Sequence, residues 1–159
     1  MYVYETTHPI AYSADEMFAL IADVDSYPLY LPLCEDLTVT GREHRDGKEV
    51  LIARMAVGYK MIRESFTTRV TLDRLERAIL VEYLDGPFSF LENRWHFVPR
   101  AGGGCDIEFY IAYSFRSRFL ERVMGGLFAK AVRKYTDAFE ARAHEIYGKG
   151  MRVVASHAH

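Results

Sequence analysis

The stretch CDIEFYIAYSF, Cys105–Phe115, alternates apolar and polar side chains along its whole length. Cys105, Ile107, Phe109, Ile111, Tyr113 and Phe115 share one face. Asp106, Glu108, Tyr110, Ala112 and Ser114 share the other, so this is a strand with one dry and one wet face. Immediately after it, SRFLERVMGGLFAKAVRKYTDAFEARAHEIY (117–147) changes to a period of 3.6. Leu120, Met124, Leu127, Phe128, Ala131, Tyr135, Ala138, Phe139 and Ile146 form one apolar stripe. The spacing predicts a single long helix, roughly 45 Å at 1.5 Å per residue. Gly125-Gly126 interrupts it and marks either a kink or a close backbone approach. Gly148 and Gly150 end it.

Working back from that strand, period two persists to Asp36, with turn residues at Gly41 to Gly47, Val57-Gly58, Asp73 to Glu76, Asp85-Gly-Pro87 and Arg100 to Gly104. About six antiparallel strands result. The run from Ile62 to Leu72 directs Ile62, Phe66, Val70 and Leu72 inward, with Glu64 on the same apolar parity. Residues 1–10 alternate as a further strand. Ser13-Ala-Asp-Glu16 has the form of a capping box and opens a helix over about 14–23 with Met17, Phe18, Leu20 and Ile21 on its apolar side. Asp25-Ser-Tyr-Pro28 starts a second, very short helix. The class is α+β: a sheet of about seven strands that closes its core only by curving around the long C-terminal helix, with two short helices after the first strand. We expect one domain over 1–148 and a flexible tail over 149–159.

The chain has 159 residues, 50% of them hydrophobic and 26% charged, which excludes disorder for most of its length. No apolar run is long enough for a membrane span, and MYVYETTHPI lacks the basic flank and apolar block of a signal peptide, so a cytoplasmic protein is expected. A formal net charge of −2 excludes an overall attraction to nucleic acid, and DNA is not an expected partner. Cys34 and Cys105 stand far apart and without metal-ligand spacing, as free thiols of a reducing compartment. The aromatic content, 14% with 11 Tyr and 10 Phe, points to a dense core or an apolar cavity.

Sequence signatures of catalysis are absent: there is no GxSxG, phosphate-binding loop, HExxH or dinucleotide fingerprint, and Gly102-Gly103-Gly104 reads as a hairpin turn. His157 and His159 lack further ligands, so no metal site is expected. No spacing places a base beside Cys34. Glu64 has two readings, an ion pair with an inward Arg such as Arg54 or a polar anchor for a ligand head group. Trp95 and Phe97, with Tyr83 before the turn, read as core or as pocket.

Asp25-Ser-Tyr-Pro-Leu-Tyr-Leu-Pro-Leu-Cys34, Phe66-Thr-Thr-Arg69, Asp85-Gly-Pro-Phe88 with Leu91, Trp95-His-Phe97, Cys105-Asp-Ile-Glu-Phe109 and Ala138-Phe-Glu-Ala-Arg-Ala143 with Tyr147 resemble the coenzyme Q-binding family of the START-like, polyketide cyclase-like superfamily. Relatives in that family include ribosome association toxins. The resemblance runs from about Tyr4 to Tyr147. It implies a helix-grip fold, an apolar cavity between sheet and helix, and a non-catalytic role in binding ubiquinone or a polyprenyl lipid for respiration or quinone synthesis, with no other cofactor required. The motifs do not separate quinone-handling from ribosome-linked members, and a cyclase-like enzyme is a third reading. A carrier of this kind needs a deep apolar cavity with a few polar groups. The expected lining is Phe66, Trp95, Phe97, Phe109 and Tyr113 from the sheet and Met124 and Phe128 from the helix, with Glu64 at the head group and Leu31 and Cys34 on the rim.

Between Tyr113 and Tyr135, Arg116, Arg118, Arg122, Lys130, Arg133 and Lys134 face Glu121 as the one acidic residue. Phe119, Leu120, Val123, Met124, Leu127 and Phe128 are interleaved with them. The segment reads either as a solvated helix face over an ordinary core, or as a surface that docks on anionic lipid at the inner face of a membrane. Ribosomal RNA would be drawn to the same charges.

Overall fold

The computed structural model describes residues 1–148; the expected tail, with His157 and His159, lies outside the described residues. Strand β1 (Tyr2–Ile10) is followed by helix α1 (Ala14–Ala22) and a 3-10 turn (Val24–Leu29). Six strands follow: β2 (Cys34–Arg45), β3 (Lys48–Tyr59), β4 (Ile62–Asp73), β5 (Ala78–Asp85), β6 (Phe88–Pro99) and β7 (Cys105–Phe115). All seven form one curved antiparallel sheet in the order β1-β7-β6-β5-β4-β3-β2, which makes the structure an α+β helix-grip fold. Hairpins connect every neighbouring pair except β1 and β7, whose register runs from Tyr2 opposite Tyr113 to Ile10 opposite Cys105. That long-range pairing brings the first and last strands together and leaves β1 and β2 as edges.

Local chemistry explains the elements. Ser13 caps α1 through the Glu16 N–H while the Glu16 carboxylate accepts from the Ser13 N–H, each at 3.0 Å. Both contacts satisfy donors that a helix start leaves open. The inward face of β7 is buried from Cys105 to Tyr113, as the alternation predicts. Ala112 departs from it: assigned to the wet face, it is buried, because a methyl group between Val3 and Glu92 on the neighbouring strands is shielded by their longer side chains. Two expected turns are strand. β2 bulges at Val39/Gly41 and runs on to Arg45, so the reversal is made by Asp46 and Gly47 alone, both at positive φ, as two-residue hairpin turns require. β3 likewise continues through Gly58 to Tyr59, and Lys60-Met61 make the turn. Gly104, at φ 77°, is needed for close approach, since a Cβ there would lie 2.5 Å from the Ile10 carbonyl oxygen.

The largest correction concerns the C-terminal helix. It is α2 (Arg118–Arg133) and α3 (Tyr135–Ala143), ending in a π turn (His144–Gly148). The break falls at Lys134, not at the glycine pair. Its N–H turns back to Ala131 at 3.0 Å, its backbone sits at φ −97° and ψ −3°, and its carbonyl accepts from Ala138 N–H to start the next helix. Beyond this break Phe139 lies against Trp95, Tyr27 and Tyr30 at ring-centroid distances of 5.2, 5.4 and 5.6 Å. Ile146, expected on the buried stripe, is exposed. The wider π turn rotates the chain so that Tyr147 packs instead, its hydroxyl donating to the Glu16 carbonyl at 2.9 Å.

Gly125 and Gly126 lie within α2, and a Cβ at Gly126 would meet nothing within 4 Å. Gly126→Ala therefore removes a helix-interior glycine without a clash, and urea denaturation is expected to show a gain of up to about 1 kcal/mol. A loss would restore the close-approach reading of that pair.

Candidate functional site

The concave face of the sheet does not fill completely beneath the helix break. A cavity of about 80 Å³ remains, walled by Phe66, Leu91 and Trp95 from the sheet, Tyr27 and Leu31 from the segment after α1, and Phe128, Tyr135 and Phe139 from the helices. Its wall is apolar except for Thr68, Asn93 and the two tyrosine hydroxyls. Asn93 accepts from Trp95 Nε1 at 2.8 Å and donates to the Tyr110 carbonyl at 2.9 Å, which fixes the indole against the wall. Tyr27 donates to the Ile21 carbonyl. Burial holds the Tyr27 and Tyr135 hydroxyls well above the ordinary phenol range, so both stay neutral donors. Next to them the Tyr30 hydroxyl is buried with no hydrogen-bond partner among the described residues. A cavity of about 150 Å³ accepts one benzene ring. At 80 Å³ this one holds a small apolar group, and a larger ligand enters only as side chains or α2 move.

The expected site residues separate on this geometry. Phe66, Trp95, Phe128 and the rim residue Leu31 meet on the cavity wall. Phe97 and Phe109 lie behind it as solid core, Phe97 edge-on to Phe18 and Phe109 at 4.6 Å from Trp95. Tyr113 packs on Phe128 at 4.8 Å and borders an open groove between α2 and the β1/β7 edge. Met124 lines a small apolar recess under the β3–β4 hairpin. Glu64 is half-buried opposite Val57, away from the cavity wall, and the suggested pairing with Arg54 is ruled out because Arg54 points to solvent on the opposite face. Cys34 is buried at the start of β2. Burial, reinforced by Asp36, pushes its thiol up to about 11, which removes it as a nucleophile near neutrality.

Sequence reasoning missed Thr68, Asn93, Tyr27, Tyr135 and Phe139. Two of them had a readable signal: Thr68 shares parity with Phe66 and Val70, and Asn93 with Leu91 and Trp95, so each is a polar residue on an apolar face. Also unexpected is a polar cluster on the seam between β1 and α3, where the ligand atoms of His8, Asp137 and Glu140 all lie within 4.8 Å of one another.

The six basic residues of the α2 region are all exposed. Arg133 donates to the Tyr2 hydroxyl at 3.1 Å and stands over the Tyr4 ring. For Arg116, Arg118, Arg122, Lys130 and Lys134 no carboxylate lies within 4 Å among the described residues. Phe119, 67% exposed, and Val123, 37%, stand among them, so this face is not a plain polar one. No described helix is long and apolar enough to cross a membrane.

The sequence pattern of polyketide cyclases, dehydrases and lipid transport proteins matches residues 10–140. The chain belongs to that family. Among its relatives, the ribosome association toxin RatA of Escherichia coli K12 is 34% identical over 138 residues, covering 87% of this chain and 84% of the relative. The mitochondrial coenzyme Q-binding protein COQ10 homolog B of Xenopus laevis is 27% identical, covering 92% of this chain and 59% of that one. An 18 kDa protein of Caulobacter crescentus has a solution structure with TM-score 0.75 at 33% identity, covering 93% of this chain and 99% of that one. An aromatase/cyclase from Streptomyces, also at TM-score 0.75 but 18% identical, covers 90% and 93% and shares the fold. Family membership thus supports a hydrophobic-ligand cavity, and the relatives carry both ribosome-association and coenzyme Q names.

The Cys34 thiol supplies a pH test. Its folded pKa is raised, so its contribution to stability is complete below about pH 9 and is lost as pH rises through about 11. Between those values the parent should lose stability more steeply than Cys34→Ala, as read by urea midpoints; parallel curves would place the thiol in solvent. The raised tyrosines act in the same direction but are common to both proteins.

Proposed function

We propose that this chain is a non-catalytic, ribosome-interacting protein of the cytoplasm whose cavity takes a small apolar ligand. The observation that carries the reading is the exposed group of cations on and beside α2, five of them without a carboxylate partner among the described residues, in a chain that matches RatA-named relatives over most of their length. Five cations without carboxylate partners among the described residues repel one another, and a phosphate backbone relieves that repulsion while releasing its own counterions. Support for a non-catalytic role comes from the cavity, whose polar groups are neutral hydroxyls and an amide already engaged by its neighbours. The test is sedimentation with ribosomal subunits over a range of salt. The parent should co-sediment, and changing Arg118, Arg122 and Lys130 together to Glu should abolish this while leaving the melting temperature intact. A partial variant with three such cations changed to Ala should lower the slope of log K against log salt by about 2–3. Absence of co-sedimentation, or no change on charge reversal, refutes the reading.

A second reading is favoured by a specific observation, the exposed Phe119 and Val123 beside the cations together with the coenzyme Q-binding relative. In it the ligand is ubiquinone or a polyprenyl lipid, collected by peripheral contact with an anionic membrane. Because the cavity is small, side chains or α2 must move for a quinone ring to enter. A short-tailed ubiquinone should then quench the Trp95 fluorescence saturably, and an organic extract of the purified protein should contain an isoprenoid quinone by mass spectrometry. Linear, unsaturable quenching with an empty extract would reject it.

A further inference from the structure

We propose that His8, Asp137 and Glu140 form a binding site for one divalent transition-metal ion that clasps α3 to the edge strand β1. The donors come from two elements that meet only in the folded chain. His8 lies on the inward parity of β1, and Asp137 and Glu140 are three residues apart on α3, which puts both carboxylates on the same side of the helix. All three ligand atoms lie within 4.8 Å of one another. His8 Nε2 and Glu140 Oε1 are 3.0 Å apart. With metal–ligand bonds of about 2.0–2.2 Å, neighbouring ligands of one ion stand about 3.0–3.5 Å apart, so that pair already has the required spacing. Asp137 is exposed, and its carboxylate already lies within the same 4.8 Å.

Charge points the same way. Neither carboxylate has a Lys or Arg nitrogen within 4 Å among the described residues, and the one basic group they share is an imidazole. Two carboxylates and an imidazole nitrogen this close together form a donor set whose negative charge a bound dication neutralises. His8 and Glu140 side chains are 24% and 31% exposed, so an ion held there keeps an open side for water while much of the site is shielded. Imidazole with two carboxylates suits Zn²⁺, Fe²⁺, Co²⁺ or Ni²⁺ over Mg²⁺ or Ca²⁺, whose preferred ligands are oxygens alone. The other histidine pairs lack this make-up: Tyr12 with His144 and His96 with Glu108 bring no third ligand within reach among the described residues. The proposal stands independently of the ribosome and quinone readings.

The experiment uses the full chain carrying His157→Ala and His159→Ala, so that the C-terminal histidines take no part, after removal of metal by a chelator. Titration calorimetry with Zn²⁺ should show one equivalent bound, and Zn²⁺ should raise the melting temperature. Hydrogen exchange should slow in β1 and α3 and be unchanged in α2. His8→Gln and Asp137→Asn should each weaken binding by at least about 10–100-fold, since even a group that only orients a ligand is worth that much. Asp137→Asn changes an exposed side chain and keeps the test valid where His8→Gln fails to fold. Co²⁺ should give visible absorption bands that Asp137→Asn shifts or removes. Absence of saturable binding, binding undiminished in Asp137→Asn, or binding seen only when His157 and His159 are restored would overturn the proposal.

Discussion

The Phe139 ring, wedged among Trp95, Tyr27 and Tyr30, is the contact on which the rest of the structure depends. A seven-stranded sheet with an aromatic concave face cannot leave that face wet, and each buried ring contributes a few kcal/mol only if something covers it. Phe139 is the cover. The helical run that carries it is interrupted at Lys134, which ends α2 and starts α3 at Tyr135 beside the cavity. What remains beneath is the volume that rings meeting edge to face do not fill. The cavity is therefore a by-product of aromatic packing geometry, and its polar groups, Thr68 and Asn93, sit where the sheet offers parity positions that no ring occupies.

The two halves of the helical region are held by different forces. Polar contacts tie α3 and the turn after it to the first thirty residues: His8 to Glu140, Tyr12 to His144 and Tyr147 to the Glu16 carbonyl. In contrast, α2 has one side-chain hydrogen bond to the sheet among the described residues, from its last residue Arg133 to the Tyr2 hydroxyl. It rests on Met124, Phe128, Ala131 and Val132, with Phe128 packed on Tyr113 and Phe88. Apolar contacts are lost gradually and without leaving unsatisfied groups, whereas a polar latch breaks all at once. Displacing α2 thus breaks one such polar contact, Arg133 to Tyr2, where displacing α3 and the turn after it breaks three.

Most of this architecture was legible in the sequence because period and turn chemistry are local. The alternation of Cys105–Phe115, the capping box at Ser13 and the hairpin residues each act within a few positions, and they reproduce the strands, while the pairing of β1 with β7 is long-range and lay outside them. The break at Lys134 was not legible, since nothing in Arg133-Lys134-Tyr135 disfavours helix; the cause is Phe139 packing against residues more than forty positions away. Gly125-Gly126 attracted the kink for the opposite reason, a weak local propensity that the packed stripe of α2 overrides. In the site, Phe66, Trp95 and Phe128 followed from face and fold, while Phe97 and Phe109 share the same parity yet fall behind the wall, because strand period fixes the side of the sheet and not the depth along it. Glu64 shows the same limit: its parity is inward, but it lies toward the hairpin end, where the sheet has curved away from the cavity.

Cations and a piece of the cavity wall fall on the same element. The exposed face of α2 carries Arg118, Arg122 and Lys130, and its buried face carries Phe128, which is part of the cavity wall. Any partner that engages the outer face acts on an element that supplies part of the cavity wall. The two events then share a free energy, and linkage makes the effect reciprocal: a ligand that holds α2 away from the sheet changes the affinity for the partner by the same factor that the partner changes the affinity for the ligand. A ligand that fits the closed cavity without moving α2 changes nothing at the outer face, however tightly it binds. Size relative to 80 Å³ is thus what separates a ligand that only stabilises the core from one that signals to the surface.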